Sequence, residues 1–390
     1  MQTETITAFF YWAVIYLLIH SYLIYPFSLI LISIFKKKPS DNNTKLLPSV
    51  SILISAFNEE KVIAERIENI SSLEYDFNIV EVLVGSDCSK DRTVEILNEL
   101  GKKFNWLTVK EFNNRRGKAS VLNDLVSESK NDILVFTDAN TKFSNNALIE
   151  LVNQFDNEKT GGVCGRLVLD EPTGKFDQIN REKLYWKYET FLKKYEGSLG
   201  TLVAANGGIF AIRRKLFKKF PEKDAVTDDL YQTLSVLSQG YDFYYSYNAV
   251  ALEKISKELK TEFNRKIRFA ATNFQTLKLF KGLLFNKNIL LSYAFWSHKV
   301  LRWIVPVMLI ILVITNLILI NSHQVYSVFF IVQLVFYSLA LIGFLFSLVK
   351  INIPIAGLVY YYMVTNIALL IGLIKFLFKK HSYIWDSTPR

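Results

Sequence analysis

Three patterns of apolar and polar positions follow one another along the chain. Residues 6–35 contain no Asp, Glu, Lys or Arg. That run exceeds the roughly 20 apolar residues needed to cross a bilayer and predicts a membrane helix. From about residue 39 to 281, short apolar runs alternate with amphipathic stretches. Residues 303–320, 325–349 and 351–374 are again free of charged side chains, and each is long enough to span.

The middle pattern predicts strands at 48–57, 80–87, 107–112 and 132–138. Helices are predicted between them. Over 58–73, Val62, Ile63, Ile67 and Ile70 recur at helical spacing. The segments 89–104 and 118–129 read the same way. Such alternation predicts an α/β fold, a Rossmann-like, mainly parallel sheet with helices on both faces. Ligands of such sheets bind outside the carboxyl ends of the strands. Three polar clusters fall at those ends: 58–60, 87–91 and 138–141. No GxGxxG follows the first strand and no GxxxxGK[ST] occurs, which argues against a dinucleotide fold and a P-loop.

Composition sharpens this picture at the ends. The chain has 390 residues, 51% hydrophobic, and its mean hydropathy of +0.20 is high for a soluble protein. A cleaved signal peptide would have a basic start and a shorter apolar core. Here Glu4 precedes the run and Lys36–Lys38 follow it, which favours a retained helix with its C-terminal end in the cytoplasm. The segment 321–324 lacks Lys and Arg and suits the outside, whereas Lys350, Lys375, Lys379 and Lys380 suit the inside. Three crossings would leave the tail outside, so one segment is re-entrant or interfacial, or the tail breaks the rule. The expected division is a membrane helix over 1–38, a cytosolic domain over 39–281, an interfacial segment over 282–302, about three membrane helices over 303–378 and a tail over 379–390. Residues 41–45 read as a linker. The net charge of +10 is assigned to lipid headgroups rather than nucleic acid. Two cysteines, Cys88 and Cys164, make no disulfide framework and fit a reducing compartment.

Five polar segments lie in order through the middle: SAFNEE (55–60), SDCSKDRT (86–93), RRGKASVLN (115–123), TDANT (137–141) and VTDDLYQTL (226–234). Each has a plain local reading. Asn58 can cap a helix, as can Ser89, Asp91 and Asp228. Asn140 can shape an Asx turn. One of Arg115 and Arg116 can be a solvated surface charge.

Taken together and in order, the five segments resemble the family 2 glycosyltransferases, inverting enzymes of GT-A fold, over residues 50–275. The flanking helices are similar to those of the membrane-embedded branch, which includes polysaccharide synthases. The resemblance implies a nucleotide-diphosphate sugar as donor, a UDP-sugar in first place, and a lipid-linked or growing glycan as acceptor. It implies that the loop with Asn58, Glu59 and Glu60 cups base and ribose, that Asp87 contacts them, and that Lys118 lies near the nucleotide. In place of the family's D-x-D, this chain has Asp138 and Asn140. The implied cofactor is Mg²⁺ or Mn²⁺ bridging the diphosphate, held by Asp138 and tuned by Asn140. Magnesium often takes only one or two protein carboxylates, so the amide does not exclude it. Asp229 is the implied general base, with Asp228 as the alternative. Gly207 and Gly208 fall in the acceptor region, and Arg265 and Arg268 in the basic segment near the diphosphate. The Q-x-x-R-W of processive synthases is missing; Arg302 and Trp303 occur later and read as an interfacial anchor.

The expected function is therefore an inner-membrane glycosyltransferase, multi-pass, with a cytoplasmic site. The alternatives are a processive synthase of the same family and a non-catalytic nucleotide-sugar-binding scaffold. A transporter is disfavoured because the terminal segments lack intramembrane charges.

Overall fold

The computed structural model describes residues 2–35, 47–170, 176–222, 224–254, 259–349, 351 and 353–379. The linker 41–45, the basic run Lys36–Lys38, Lys350, Lys380 and the end of the tail lie outside the described residues.

Eight strands form one sheet: β1 (Val50–Ala56), β2 (Val80–Asp87), β3 (Leu107–Phe112), β4 (Ile133–Phe136), β5 (Thr141–Phe143), β6 (Thr160–Asp170), β7 (Phe210–Arg213) and β8 (Asp242–Lys254). Their order is β3-β2-β1-β4-β7-β6-β8-β5. β3, β2, β1 and β4 are parallel. β7 runs antiparallel to β4 and β6, β8 is parallel to β6, and β5 is antiparallel to β8. The sheet is thus mixed and mainly parallel, as expected. β1 is buried along nearly its whole length, because apolar clusters cover both faces. One cluster holds Ile63, Ile67 and Ile70 of the helix Ile63–Ser71. The other holds Val121, Leu122 and Leu125 of the helix Lys118–Glu128.

Two details differ from the sequence pattern. The first helix begins at Ile63 rather than at residue 58. Residues 58–62 instead form a tight turn: Asn58 has φ 54°, and the amides of Val62 and Ile63 both donate to the Glu59 carbonyl. Asn58 consequently caps no helix. The segment 240–254, which resembles the strand pair that closes the domain in the family 2 glycosyltransferases, holds one continuous strand, β8, bridging β6 and β5.

Among the described residues, three helical stretches are long and apolar enough to cross a membrane: Gln2–Phe35, Gln324–Leu348 and Pro354–Leu377. The first of the three expected C-terminal segments is instead part of a bent pair, Ile289–Trp303 and Val305–Leu319, meeting at 64°. The helix Leu259–Leu279 packs so closely on Pro354–Leu377 that a Cβ on Gly372 would lie 2.3 Å from Ala270 Cβ. The helix Phe176–Ser198 lies between the sheet and the apolar helices; Tyr188 Oη donates to the Tyr22 carbonyl at 3.1 Å.

Candidate active site

The carboxyl ends of β1, β2 and β4 open into one cavity of about 1150 Å³. Its other wall comes from the 204–208 loop, the start of the helix Asp228–Ser238 and the apolar helices.

Asp87 ends β2 and is buried. Its two oxygens accept the amides of Arg116 and Gly117, both at 2.8 Å. Gly117 has φ 85°, a conformation that glycine adopts without strain, and this turns both amides onto the carboxylate. Asp87 therefore holds the 115–118 loop while lining the cavity. Of the two arginines, Arg116 pairs with Asp124 at 2.5 Å, whereas Arg115 faces the cavity with its guanidinium 3.7 Å from the Phe57 ring centre.

Lys118 opens the following helix, and its ammonium reaches two carboxylates, Asp138 Oδ1 and Asp228 Oδ2, both at 2.6 Å. Burial opposes its charge, but the two carboxylates outweigh burial and hold the lysine above its ordinary range. Asp228 does not cap its helix; Thr227 occupies that position with no side-chain cap.

Asp229, next in the chain, has other partners. Its Oδ1 accepts the Leu230 amide at 2.7 Å, and its Oδ2 faces Gly207, where a Cβ would stand 3.4 Å away. The same imagined Cβ would lie 3.9 Å from Asp138 Oδ2. Gly207 thus sits between the two carboxylates, and a side chain there would fill the space they share. Burial and then the neighbouring Asp228 carboxylate push Asp229 up to about 6, against the pull of Lys193, the Leu230 amide and Lys118. A carboxyl group poised there suits proton transfer near neutral pH. Gly208 is also tightly enclosed: a Cβ would meet Thr141 Oγ1 at 3.1 Å.

The remaining expected residues divide. Glu59 lines the cavity, but Asn58 and Glu60 are not among its walls. They pin the loop to its neighbour: Asn58 Oδ1 accepts the Lys90 amide at 2.9 Å and Glu60 Oε2 the Arg92 amide at 3.1 Å. Asp91 Oδ1 accepts both the amide and the hydroxyl of Thr93, the first residue of the helix Thr93–Lys103. Arg265 and Arg268 line the cavity from Leu259–Leu279, Arg265 paired with Glu262 at 2.9 Å. Asn140 lines it too, its amide donating to Glu253 Oε1 at 3.4 Å.

Sequence reasoning missed the helix Phe176–Ser198. Its Lys193 is buried in the cavity wall, bonded to Asn206 Oδ1, and so anchors the loop that carries Gly207. Deeper in, His298 stands between Glu196 Oε1 at 2.6 Å and Glu189 Oε2 at 3.1 Å, and Arg302 pairs with Glu189 at 2.6 Å. Arg302 is thus part of a buried ionic cluster rather than a lone interfacial anchor. The only local signal was the charge-dense KYETFLKKYEG, which reads equally as solvated surface.

Among the described residues, no three His, Cys, Asp or Glu side chains gather to hold a metal ion. The oxygen donors present, Asp138 and Asn140, fit a hard cation that takes most of its ligands from phosphate and water.

Residues 51–220 match the family model described as Glycosyl transferase family 2. The chain is 30% identical over 270 residues to the protein named probable glycosyltransferase YdaM of Bacillus subtilis (strain 168), covering 66% of this chain and 64% of that one. It is 28% identical over 200 residues to a beta-monoglucosyldiacylglycerol synthase of Trichormus variabilis, covering 50% and 42%. It is 23% identical over 249 residues to the poly-beta-1,6-N-acetyl-D-glucosamine synthase of Staphylococcus aureus (strain COL), covering 62% and 58%. The chain therefore spans less than two thirds of the length of each of these relatives. Among solved structures, a mannosyltransferase from Pyrobaculum calidifontis in complex with GDP-Man and Mn²⁺ superposes with a TM-score of 0.74 at 19% identity, over 96% of this chain and 100% of that one. That likeness establishes the GT-A fold.

Proposed function

Given that the chain carries a family 2 glycosyltransferase domain, we propose that it transfers a sugar from a nucleotide diphosphate to an acceptor hydroxyl, with inversion, at the cytoplasmic face of the plasma membrane. One observation carries this reading. Lys118, Asp138, Gly207 and Asp229, distant in sequence, meet at one point of a single cavity.

The roles follow from position. Asp87 and the 115–118 loop, with Glu59, face the nucleotide. Asp229 accepts the proton of the acceptor hydroxyl as that oxygen attacks the anomeric carbon and the bond to the diphosphate breaks. Lys118 and the arginines Arg115, Arg265 and Arg268 surround the negative charge left on the nucleoside diphosphate. A divalent cation, Mg²⁺ or Mn²⁺, supplies further charge neutralisation when bound, with Asp138 as its protein ligand and Asn140 beside it. Lys193 holds the 206–208 loop against the acceptor.

The acceptor is read as lipid-linked. The cavity continues to Tyr22, Tyr362 and Leu369 on apolar helices, so a molecule bound there meets an apolar wall beside the polar site. The domain over 39–281 is placed on the cytoplasmic side, as expected from the sequence, and the segments after it divide differently. Counting the bent pair Ile289–Leu319 as re-entrant leaves two crossings after the domain. That returns Lys375 and Lys379 to the domain's side, and it moves the departure from the rule to residues 321–324, which fall inside, and Lys350, which falls outside.

A panel of nucleotide sugars offered to membranes containing the protein, with Mg²⁺ or Mn²⁺, tests the reading. Nucleoside diphosphate release that disappears in Asp229→Asn supports it. Tight nucleotide binding with no turnover for any donor and acceptor overturns it in favour of a scaffold.

A further inference from the structure

Arg66 is an arginine in an unusual place. It lies on the helix Ile63–Ser71, is 2% exposed, and makes no ion pair with a carboxylate among the described residues. Arginine is almost never fully buried unless paired. Nothing in the sugar-transfer reading accounts for it.

Its contacts converge on one segment. Nη2 donates to Thr137 Oγ1 at 3.0 Å, and Nη1 donates to Asn69 Oδ1 at 2.8 Å. Asn69 then grips Phe143 twice: its Nδ2 donates to the Phe143 carbonyl at 2.9 Å, and its Oδ1 accepts the Phe143 amide at 2.8 Å. The guanidinium carbon also stands 4.3 Å from the centre of the Phe143 ring. The two ends of the 137–143 segment, which carries Asp138 and Asn140, are therefore fastened to one side chain. Thr137 passes the restraint on, since its hydroxyl donates to the Gly208 carbonyl at 2.8 Å.

Resting on the proposed sugar-transfer function, we propose that Arg66 is a positioning residue for the metal–diphosphate corner. It fixes Asp138 at a set offset from the 206–208 loop, and so sets the distance between the metal ligand and the base-bearing wall. A buried fork of donors suits this task, because its planar guanidinium bonds two partners in fixed directions, whereas a lysine ammonium is a rotatable point charge. Residues behind metal ligands commonly change metal affinity by about 10–100-fold when removed.

The test uses the full-length protein in detergent, with Arg66→Met, Arg66→Lys and Asn69→Ala. The readouts are Mn²⁺ affinity by electron paramagnetic resonance in the presence of a nucleoside diphosphate, metal-free nucleoside diphosphate affinity, and Tm. Arg66→Met is expected to weaken Mn²⁺ binding by about tenfold or more, while metal-free nucleotide affinity stays within about twofold. Arg66→Lys is expected to weaken Mn²⁺ binding to a lesser degree, with a higher Tm than Arg66→Met. Asn69→Ala, which releases Phe143 and removes the Nη1 partner of Arg66 but leaves the Arg66–Thr137 bond, is expected to weaken Mn²⁺ binding while Arg66 is still present. Wild-type Mn²⁺ affinity in folded Arg66→Met, or in Asn69→Ala should Arg66→Met fail to fold, overturns the positioning role and leaves sugar transfer standing. A wild-type protein that binds neither nucleotide nor Mn²⁺ overturns the proposed function itself.

Discussion

Asp228 and Asp229 are adjacent in the chain, yet their carboxylates take different partners. Asp228 is tied to Lys118 at 2.6 Å, and Asp229 faces Gly207 and the space shared with Asp138. In the proposed reading, Asp229 is the one of the two that exchanges a proton with the ligand.

The pH profile of turnover follows from that difference. With Asp229 raised to about 6, its basic form prevails at pH 7 and is a minority at pH 5. The ratio kcat/KM, which reports the free enzyme, is expected to fall about tenfold between those values, with its midpoint near 6 rather than near the usual carboxylate value. The stability effect has the opposite sense. A raised carboxyl pKa stabilises the fold below the unfolded value, and this contribution is lost as pH rises through about 6. Asp229→Asn is therefore expected to abolish turnover while raising Tm at pH 7, read by activity and thermal unfolding side by side.

The Lys118 bridge predicts strong coupling. Lys118→Met leaves Asp228 and Asp138 facing each other across a partly buried site and is expected to cost about 3 kcal/mol in unfolding free energy. Adding Asp228→Asn removes one of the stranded charges. The double variant is expected to be more stable than the sum of the singles predicts, by on the order of 1 kcal/mol. Additive singles would show that the bridge carries no net interaction.

Asn140→Asp restores a second carboxylate to the corner and places it near Glu253, the present partner of the amide. Its expected effect is a several-fold fall in the metal concentration that gives half-maximal activity. An unchanged metal titration would assign Asn140 to loop shape alone.

Gly207→Ala would place a methyl group 3.4 Å from Asp229 Oδ2, an ordinary contact that the fold tolerates. The space removed is the ligand's. A loss of kcat/KM of more than about tenfold, with Tm nearly unchanged, is expected.

The sheet and its strand-end clusters were legible because they are local. Apolar runs such as ILIS and ILVF, each followed by polar residues, mark strands and their tips without any knowledge of distant partners. Lys118, Asp138 and Asp229 were legible for the same reason, as parts of short segments in a recognisable order. Asn58 and Glu60 misled because they stand beside Glu59, and only the turn at residues 58–62 decides which of the three side chains faces inward. Lys193, Glu189 and His298 were invisible because their burial depends on helices more than 100 residues apart closing over Phe176–Ser198. Arg66 was hidden similarly: a charge within an amphipathic pattern reads as surface until Thr137 and Phe143 are seen folded over it.

The two walls of the cavity come from two separate lengths of chain. Apart from Tyr22, one wall is supplied by residues 55–140, the other by Leu167 and later residues, and the exposed residues 156–159 run between them. In the proposed reading, the first length handles the nucleotide, and the second handles the molecule that receives the sugar while Arg265 and Arg268 reach back to the diphosphate. Chimaeras joined within 156–159 would let the donor and recipient specificities be assigned separately, provided that the β4–β7 and β5–β8 pairings re-form across the junction.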